Sequence, residues 1–238
     1  MPTIAENLST ITERIAAAAR DCGRQPGEVR LLPVSKTKPP SDVLAAVEAG
    51  CTRFGENRVQ DALAKWELIN PDHPRIEWVI IGALQTNKAK YVARFASELQ
   101  ALDSLKVAHE LDRRLQREGR QLDVLVEVNS SQEPQKSGIA PEDALGFAKD
   151  LAAFDALRVK GLMTVAVHSE DRARVAACFE RTRVLRDQLR QDAGEVSCWE
   201  ELSMGMSGDL DLAVAHGSTQ VRVGQAIFGP REGQGWRP

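Results

Sequence analysis

The sequence predicts a (β/α)₈ barrel, an α/β fold of the TIM type, with an extra helix before the first strand. Apolar, β-branched segments alternate with amphipathic segments along the chain, as in folds built from parallel βαβ units. Eight such units in 238 residues agree with the usual length of this barrel, about 250 residues. An open doubly wound sheet is the alternative, but it usually has a Gly-rich turn after its first strand, whereas Val34 is followed by Ser-Lys-Thr-Lys-Pro.

The predicted strands are runs of β-branched and apolar residues, in chain order Val29–Val34, Thr52–Gly55, Ile76–Gly82, Gln100–Asp103, Leu122–Val128, Val159–Val165, Trp199–Met204 and Gln220–Phe228. The predicted helices have apolar residues at helical spacing and are Ile4–Arg20, Ser41–Ala49, Arg58–Ile69, Asn87–Ala96, Leu105–Glu118, Pro141–Ala152, Asp171–Gln191 and Asp209–Ala215. Pro141 favours the first turn of a helix, and Gly50 and Gly119 favour helix ends. No repeat or Pro/Ser-rich linker interrupts this order, so we expect a single domain over residues 1–238 with a surface tail at Arg231–Pro238.

Composition excludes several classes of function. Lys and Arg number 31 against 34 Asp and Glu, and this net charge of -3 provides no basic field for nucleic acid or anionic lipid. No secretory signal is evident, and no apolar run approaches the roughly 18 residues of a membrane span, so we expect a cytoplasmic protein that is not bound to a membrane. The four cysteines lack a C-x-x-C pair and the four histidines lack metal-ligand spacing, which predicts reduced thiols and no bound metal.

Lys36 is the first candidate functional residue, because the sites of these barrels lie where strands run into their following loops. Strand alternation places Leu32, Val34 and Lys36 on one face, so an ammonium group follows two apolar side chains. Desolvation there lowers the pKa of a lysine and frees its amine to attack an aldehyde, forming a Schiff base. The alternative is a lysine whose ammonium extends from the strand end into water.

A candidate anion site follows the seventh predicted strand. Ser207 is predicted to be the N-cap of a helix whose neighbouring N–H groups bind a phosphate, and Gly208 permits close approach of the backbone. A capped helix without a ligand is the alternative interpretation. Gly224 and Gln225 in the eighth predicted strand add backbone donors, and the loops after strands seven and eight are the usual phosphate position in this fold.

Arg222 lies within the apolar run of the last predicted strand, where a buried guanidinium needs hydrogen-bond acceptors. A structural ion pair with a carboxylate is one interpretation. The other interpretation is a hydrogen bond from the guanidinium to a pyridine nitrogen. An arginine that stays protonated keeps such a nitrogen unprotonated and makes the ring a weaker electron sink.

Several motifs occur in order along nearly the whole chain, namely Val34-Ser35-Lys36-Thr37-Lys38-Pro39, Phe54-Gly55-Glu56-Asn57, Ile81-Gly82-x-Leu84-Gln85-x-Asn87-Lys88, Gly161-Leu162-Met163, Leu202-Ser203-Met204-Gly205-Met206-Ser207-x-Asp209 and Gly217-Ser218-Thr219-x-Val221-Arg222-Val223-Gly224. Together they resemble the pyridoxal phosphate homeostasis proteins, which are single-domain relatives of the alanine racemase barrel.

The resemblance implies pyridoxal 5′-phosphate held as a Schiff base on Lys36, with Asn57 close to the ring and Arg222 at the pyridine nitrogen. It also implies that the phosphate lies near Ser207, Gly224 and Gln225. One departure is Val79, which stands where the family usually has a histidine.

Two functional interpretations follow from this resemblance. A racemase-like enzyme needs acid–base groups on both faces of the substrate α-carbon, and in true racemases a tyrosine of a separate C-terminal domain and the opposite subunit supplies the second. This chain has one tyrosine, Tyr91, in a helical segment, and it ends soon after the eighth predicted strand. We therefore expect a non-catalytic, monomeric protein that holds, buffers or delivers pyridoxal phosphate, with apo-enzymes that depend on this cofactor as candidate partners. A barrel that binds phosphate without a covalent lysine is the third interpretation.

Overall fold

Eight parallel strands form one sheet in the computed structural model, which describes residues 2–192, 198–230 and 236. In chain order, β1 to β8 are Arg30–Pro33, Arg53–Glu56, Glu77–Ile80, Glu98–Leu102, Leu122–Glu127, Leu157–Met163, Glu201–Ser203 and Gln220–Val223. The order within the sheet is β1-β8-β7-β6-β5-β4-β3-β2. A parallel bridge between Val34 and Gly55 closes the remaining seam, where the Ser35 N–H donates to the Gly55 carbonyl at 3.0 Å. The predicted (β/α)₈ barrel is confirmed.

Helices connect successive strands on the outside of the barrel. In chain order, α1 to α9 are Ile4–Asp21, Pro40–Glu48, Val59–Ile69, Ala89–Phe95, Leu105–Glu118, Ala144–Leu151, Arg172–Asp192, Leu210–Ala215 and Gln225–Phe228. Short 3₁₀ turns at Thr86–Lys88 and Pro141–Asp143 occupy the starts of two predicted helices. Within the described ranges, no helix is both long enough and apolar enough to cross a bilayer.

The extra N-terminal helix, α1, is confirmed. It begins with a capping box in which the Thr3 side chain accepts from the Glu6 N–H while the Glu6 carboxylate accepts from the Thr3 N–H. Apolar residues at helical spacing are buried against α2, α8 and α9, and they include Leu8, Ile11 and Ile15. The helix therefore lies on the outside of the barrel, beside the junction of its first and last strands.

The largest difference from the predicted elements is the end of the eighth strand. The apolar pattern predicts a strand to Phe228, but β8 ends at Val223 and the next residues turn into the short helix α9. The Gly224 carbonyl accepts the N–H groups of Ile227 and Phe228 at 2.9 Å, so the backbone hydrogen bonds of this segment are local rather than between strands. Apolar periodicity cannot distinguish a strand from a helix in so short an apolar segment. The predicted surface tail, Arg231–Pro238, lies outside the described residues except for Trp236.

Charged residues close the N-terminal end of the barrel. Arg30 pairs with Glu201 at 2.6 Å, and Arg53 pairs with Glu98 at 2.7 Å. Each pair joins strands that are not neighbours in the sheet, β1 to β7 and β2 to β4, so both pairs cross the barrel interior. These four residues are called the charged floor below.

Candidate functional site

Lys36 lies at the C-terminal end of β1, half-buried and two residues beyond the bridge at Val34. The chain turns sharply here, since the Lys38 N–H donates to the Ser35 carbonyl at 3.0 Å. Thr37 within this turn has a φ of 67°, in the left-handed region that β-branched residues rarely adopt. Such a conformation costs roughly 1 kcal/mol or more, so the surrounding contacts must hold the turn in shape.

Arg222 is buried inside the barrel, with 5% of its surface exposed. Its guanidinium donates to the Ser203 carbonyl at 2.6 Å, to Ser203 Oγ at 2.7 Å and to the Thr164 carbonyl at 2.8 Å. No ion pair in the part of the chain that the structure describes includes Arg222, so the predicted pairing with a carboxylate is not a direct contact. Burial lowers the pKa of Arg222 to about 10, although Glu127 and Asp209 act from longer range to raise it.

A column of hydrogen bonds runs from Arg222 to the charged floor. Ser203 Oγ accepts from Arg222 and donates to Gln100 Oε1 at 2.7 Å. The Gln100 amide then donates to Glu98 at 2.5 Å and to Gln220 at 3.0 Å. Each bond fixes the rotamer of the next side chain, so the guanidinium is oriented from below by residues of β4 and β7.

Glu127, the last residue of β5, is a carboxyl group with a strongly raised pKa at the mouth of the barrel, the end where the strands run into their following loops. Burial, and to a smaller extent the Asp103 carboxylate, raise its pKa to about 7, and Arg222 opposes part of this effect. A group with this pKa gains and loses protons near neutral pH. Sequence reasoning placed Glu127 near the end of the fifth predicted strand but could not predict its protonation, which depends on Asp103, directly after β4, and on Arg222 of β8.

The loop after β7 is tightly hydrogen-bonded, but its cap differs from the prediction. Ser207 is not the N-cap, because α8 begins later and Asp209 occupies the N-cap position. The Asp209 carboxylate accepts the Met206 N–H at 2.6 Å, and Arg14 of α1 donates to the Ser207 carbonyl at 2.7 Å. The backbone N–H groups that were predicted to bind phosphate therefore lie in a folded turn of residues 205–209. They do not belong to the first turn of a helix capped by Ser207. No signal in the sequence links Arg14 to this loop.

Gly224 and Gln225 lie where β8 ends, and the backbone approaches β1 closely there. A Cβ at Gly224 would lie 3.1 Å from the Val34 carbonyl oxygen, so only glycine fits without displacement. Gln225 is exposed and begins α9. The end of β8 is thus held against the strand that leads into Lys36.

Asn57 and Gly82 follow β2 and β3 and are in close contact. A Cβ at Gly82 would lie 2.4 Å from the Asn57 carbonyl oxygen, closer than any side chain permits. The exposed Asn57 therefore depends on a glycine after the neighbouring strand for its backbone position. Val79, which stands where the resembling family has a histidine, is fully buried in β3 and in register with Gly55.

Lys65 is a residue of this region that sequence reasoning missed. It lies in α3 on the buried face that contains Val59, Ala62 and Ile69, and it is fully buried with Glu56. A lysine at helical spacing among apolar residues was the available signal. Within residues 2–192, 198–230 and 236, no group of three or more His, Cys, Asp or Glu side chains has the arrangement of a metal site.

Comparisons with known proteins agree on one family. Residues 7–232 match the model of the alanine racemase N-terminal domain. A relative from Pasteurella multocida, called pyridoxal phosphate homeostasis protein, is 39% identical over 230 residues, covering 97% of this chain and 98% of the relative. Another protein of that name, from Pseudomonas aeruginosa, is 40% identical over 232 residues, covering 98% of this chain and 97% of the relative.

Solved structures show the same relationship. PipY of Synechococcus elongatus, solved with PLP bound, has a TM-score of 0.84 and 34% identity, covering 95% of this chain and all of that chain. An alanine racemase of Clostridium difficile has a TM-score of 0.71 at 12% identity, and 91% of this chain covers 56% of that one. The racemase therefore shares the barrel alone.

Proposed function

This chain belongs to the family of pyridoxal phosphate homeostasis proteins, and we propose that it binds pyridoxal 5′-phosphate at the C-terminal mouth of its barrel. The observation that carries this proposal is Arg222, a buried cation at the mouth that donates to neutral acceptors of Ser203 and Thr164. These bonds use three of the five N–H groups of a guanidinium. A pyridine nitrogen is a neutral acceptor of the kind that such a donor can accommodate, so the residues present fit the cofactor.

Arg222 also bears on whether the site binds the cofactor or uses it in catalysis. With a pKa of about 10 it stays protonated at neutral pH and is a donor only. It cannot give a proton to a pyridine nitrogen, and an unprotonated ring withdraws electrons less strongly from a bound amino acid. This chemistry favours holding the cofactor over using it in catalysis.

Lys36 is the proposed point of attachment. Its amine forms a C=N bond with the aldehyde carbon of the cofactor and the carbonyl oxygen leaves as water, giving a Schiff base. The peptide groups around Ser207, Gly224 and Gln225 are proposed to bind the phosphate, and Asn57 to lie close to the ring. The net charge of -3 does not oppose this, because local N–H groups rather than a basic surface supply the attraction.

We propose a non-catalytic, monomeric and cytoplasmic protein that holds, buffers or delivers the cofactor, with apo-enzymes that depend on it as candidate partners. Tyr91, the single tyrosine of the sequence, supports the non-catalytic assignment. It lies in α4 with its ring 4.8 Å from the ammonium of Lys90 and 5.8 Å from that of Lys88. Its ring packs beside two lysines of its own helical region, and this chain has no second tyrosine to serve as an acid–base group.

A racemase-like activity is the second candidate, and Glu127 is the observation that favours it. A carboxyl group with a pKa of about 7 is able to exchange protons at physiological pH. Exchange of the α-proton of amino acids in D₂O distinguishes the two functions. We expect rates no higher than those of free pyridoxal phosphate, and faster exchange that disappears in Glu127→Gln would establish the enzyme.

Spectroscopy and chemical trapping test the binding proposal. Purified protein incubated with pyridoxal phosphate should develop a Schiff-base absorbance band, and borohydride reduction followed by peptide mass spectrometry should find the label on Lys36. Lys36→Ala should abolish both signals. Lys38→Ala is the matched control, because Lys38 lies two residues away and donates to the Pro230 carbonyl at 2.7 Å. A protein that stays colourless, or a label that persists in Lys36→Ala, would overturn the proposal.

A further inference from the structure

A fully buried ion pair lies directly behind the Lys36 turn. Lys65 Nζ of α3 donates to Glu56 Oε1 of β2 at 2.5 Å, and neither side chain is exposed to solvent. The Ser35 hydroxyl donates to the same carboxylate oxygen at 2.7 Å. Two elements on one side of the barrel therefore converge on the residue that precedes Lys36.

Lys65 also binds the backbone of the turn. Its ammonium donates to the Ser35 carbonyl at 2.8 Å, and that carbonyl also accepts the Lys38 N–H that closes the turn. The Ser35 carbonyl and the Lys36 N–H belong to one planar peptide group, so fixing the oxygen fixes the direction in which the chain enters Lys36. The ion pair thus acts on the backbone of Lys36 without contacting a ligand.

Trp236 holds the turn as well. The Trp236 N–H donates to the Thr37 carbonyl at 2.8 Å, and the Trp236 ring lies 5.2 Å from Lys65 Nζ. These contacts surround the residue with the left-handed φ. Contacts from Lys65 and Trp236 therefore hold the turn in a conformation that it would not adopt alone.

Stability does not account for this pair. Burying two charges costs several kcal/mol per ion, and apolar replacements of similar volume are often as stable or more stable. Val59, Ala62 and Ile69 already give α3 an apolar face on which a methionine at position 65 would pack. A role in orientation explains why a lysine is placed there.

We propose that Lys65 and Glu56 are positioning residues that hold the Ser35–Lys38 turn so that the Lys36 amine meets the aldehyde of the cofactor. This inference rests on the proposed function. The pair is neutral overall, so it orders the turn without adding net charge beside Lys36. Loss of either partner alone leaves a buried charge and destabilises the protein, so the informative change removes both.

The double variant Lys65→Met with Glu56→Leu tests the inference. Its apo form should unfold at a urea concentration close to that of the wild type, because apolar side chains replace the pair. Cofactor binding should nevertheless be about tenfold weaker and Schiff-base formation about tenfold slower, because the amine is no longer oriented. Both are measured from the absorbance of the cofactor, together with the pH at which the Schiff-base band changes. The matched control is Arg113→Met with Glu110→Leu, which removes a surface pair of α5.

Each outcome has a distinct meaning. If the wild type does not bind pyridoxal phosphate, the proposed function fails and the inference fails with it. If the wild type binds and the double variant has the same affinity, rate and spectral pH profile, the positioning role alone is wrong. Should the double variant not fold, Ser35→Ala replaces it. That change removes the hydrogen bond from the Ser35 hydroxyl to Glu56 and keeps the ion pair. A two- to threefold decrease in the rate of Schiff-base formation would support the inference, and a wild-type rate would contradict it.

Discussion

The guanidinium of Arg14 donates a hydrogen bond to the carbonyl oxygen of Ser207 at 2.7 Å, across 193 residues of chain. In a trans peptide the carbonyl and the following N–H point in opposite directions. With its Ser207 oxygen turned towards α1, this peptide directs the Gly208 N–H away from α1. The extra N-terminal helix therefore sets the orientation of a loop that is proposed to bind phosphate.

Replacing Arg14 by alanine should weaken cofactor retention without unfolding the protein. Loss of one hydrogen bond from a partly exposed cation corresponds to about 1 kcal/mol, or roughly fivefold in affinity for pyridoxal phosphate. Arg20→Ala is the control, since Arg20 lies in the same helix and pairs with the exposed Glu13. Equal affinities for the two variants, measured by absorbance titration, would show that α1 does not orient the loop.

Replacing Arg222 by glutamine should shift the absorbance maximum of the bound cofactor and speed its release by at least tenfold. The amide lacks the charge and the fork of donors, and it leaves acceptors such as the Thr164 carbonyl unpaired. Arg24→Gln is a matched control, because Arg24 also donates to two backbone carbonyls, those of Val214 and Ser218, from outside the barrel. A wild-type spectrum and release rate in Arg222→Gln would rule out the pyridine-nitrogen assignment.

Glu127 should make the stability of the apo protein depend on pH. Its folded-state pKa of about 7 exceeds its ordinary value of 4.5, so its contribution is complete below about pH 4.5 and is lost as the pH rises through 7. The loss is at most about 3 kcal/mol, reduced by whatever solvent reaches this half-buried group. In Glu127→Gln the difference between urea midpoints at pH 5 and pH 8 should shrink. In the control Glu142→Gln, which changes an exposed carboxylate, the difference between the two midpoints should stay as in the wild type. An unchanged difference in Glu127→Gln would show that burial of this carboxyl group does not cause the pH dependence.

Gly82→Ala should be destabilising and should also impair cofactor binding. The new methyl group would lie 2.4 Å from the Asn57 carbonyl oxygen, so the backbone of the β2 loop must move. We expect about 1–3 kcal/mol of lost stability, as for other overpacked sites. Gly146→Ala in α6 is the control, since a Cβ there meets no atom within 4 Å and alanine favours the helix. Wild-type thermal stability in Gly82→Ala would contradict the close approach.

The sequence was sufficient to predict the barrel and the chain order of its elements, because strand and helix periodicities are local. It also located Lys36 after the first strand and Arg222 within the last strand of the barrel. It failed at the end of β8, where a strand and a short helix give similar apolar patterns, and at the cap near Ser207, where Asp209 is an equally suitable N-cap residue two positions later. The contacts of Lys65 with Ser35 and of Arg14 with Ser207 could not be predicted from the sequence, because tertiary packing decides which residues meet.

The charged floor has a consequence for traffic of the cofactor. The pairs Arg30–Glu201 and Arg53–Glu98 cross the N-terminal end of the barrel, so a polar molecule passing that way would have to break both ion pairs. Under the proposed function, the cofactor then both enters and leaves through the C-terminal end of the barrel. A recipient enzyme must receive the cofactor on the side from which it entered, and it competes there with every new molecule that arrives.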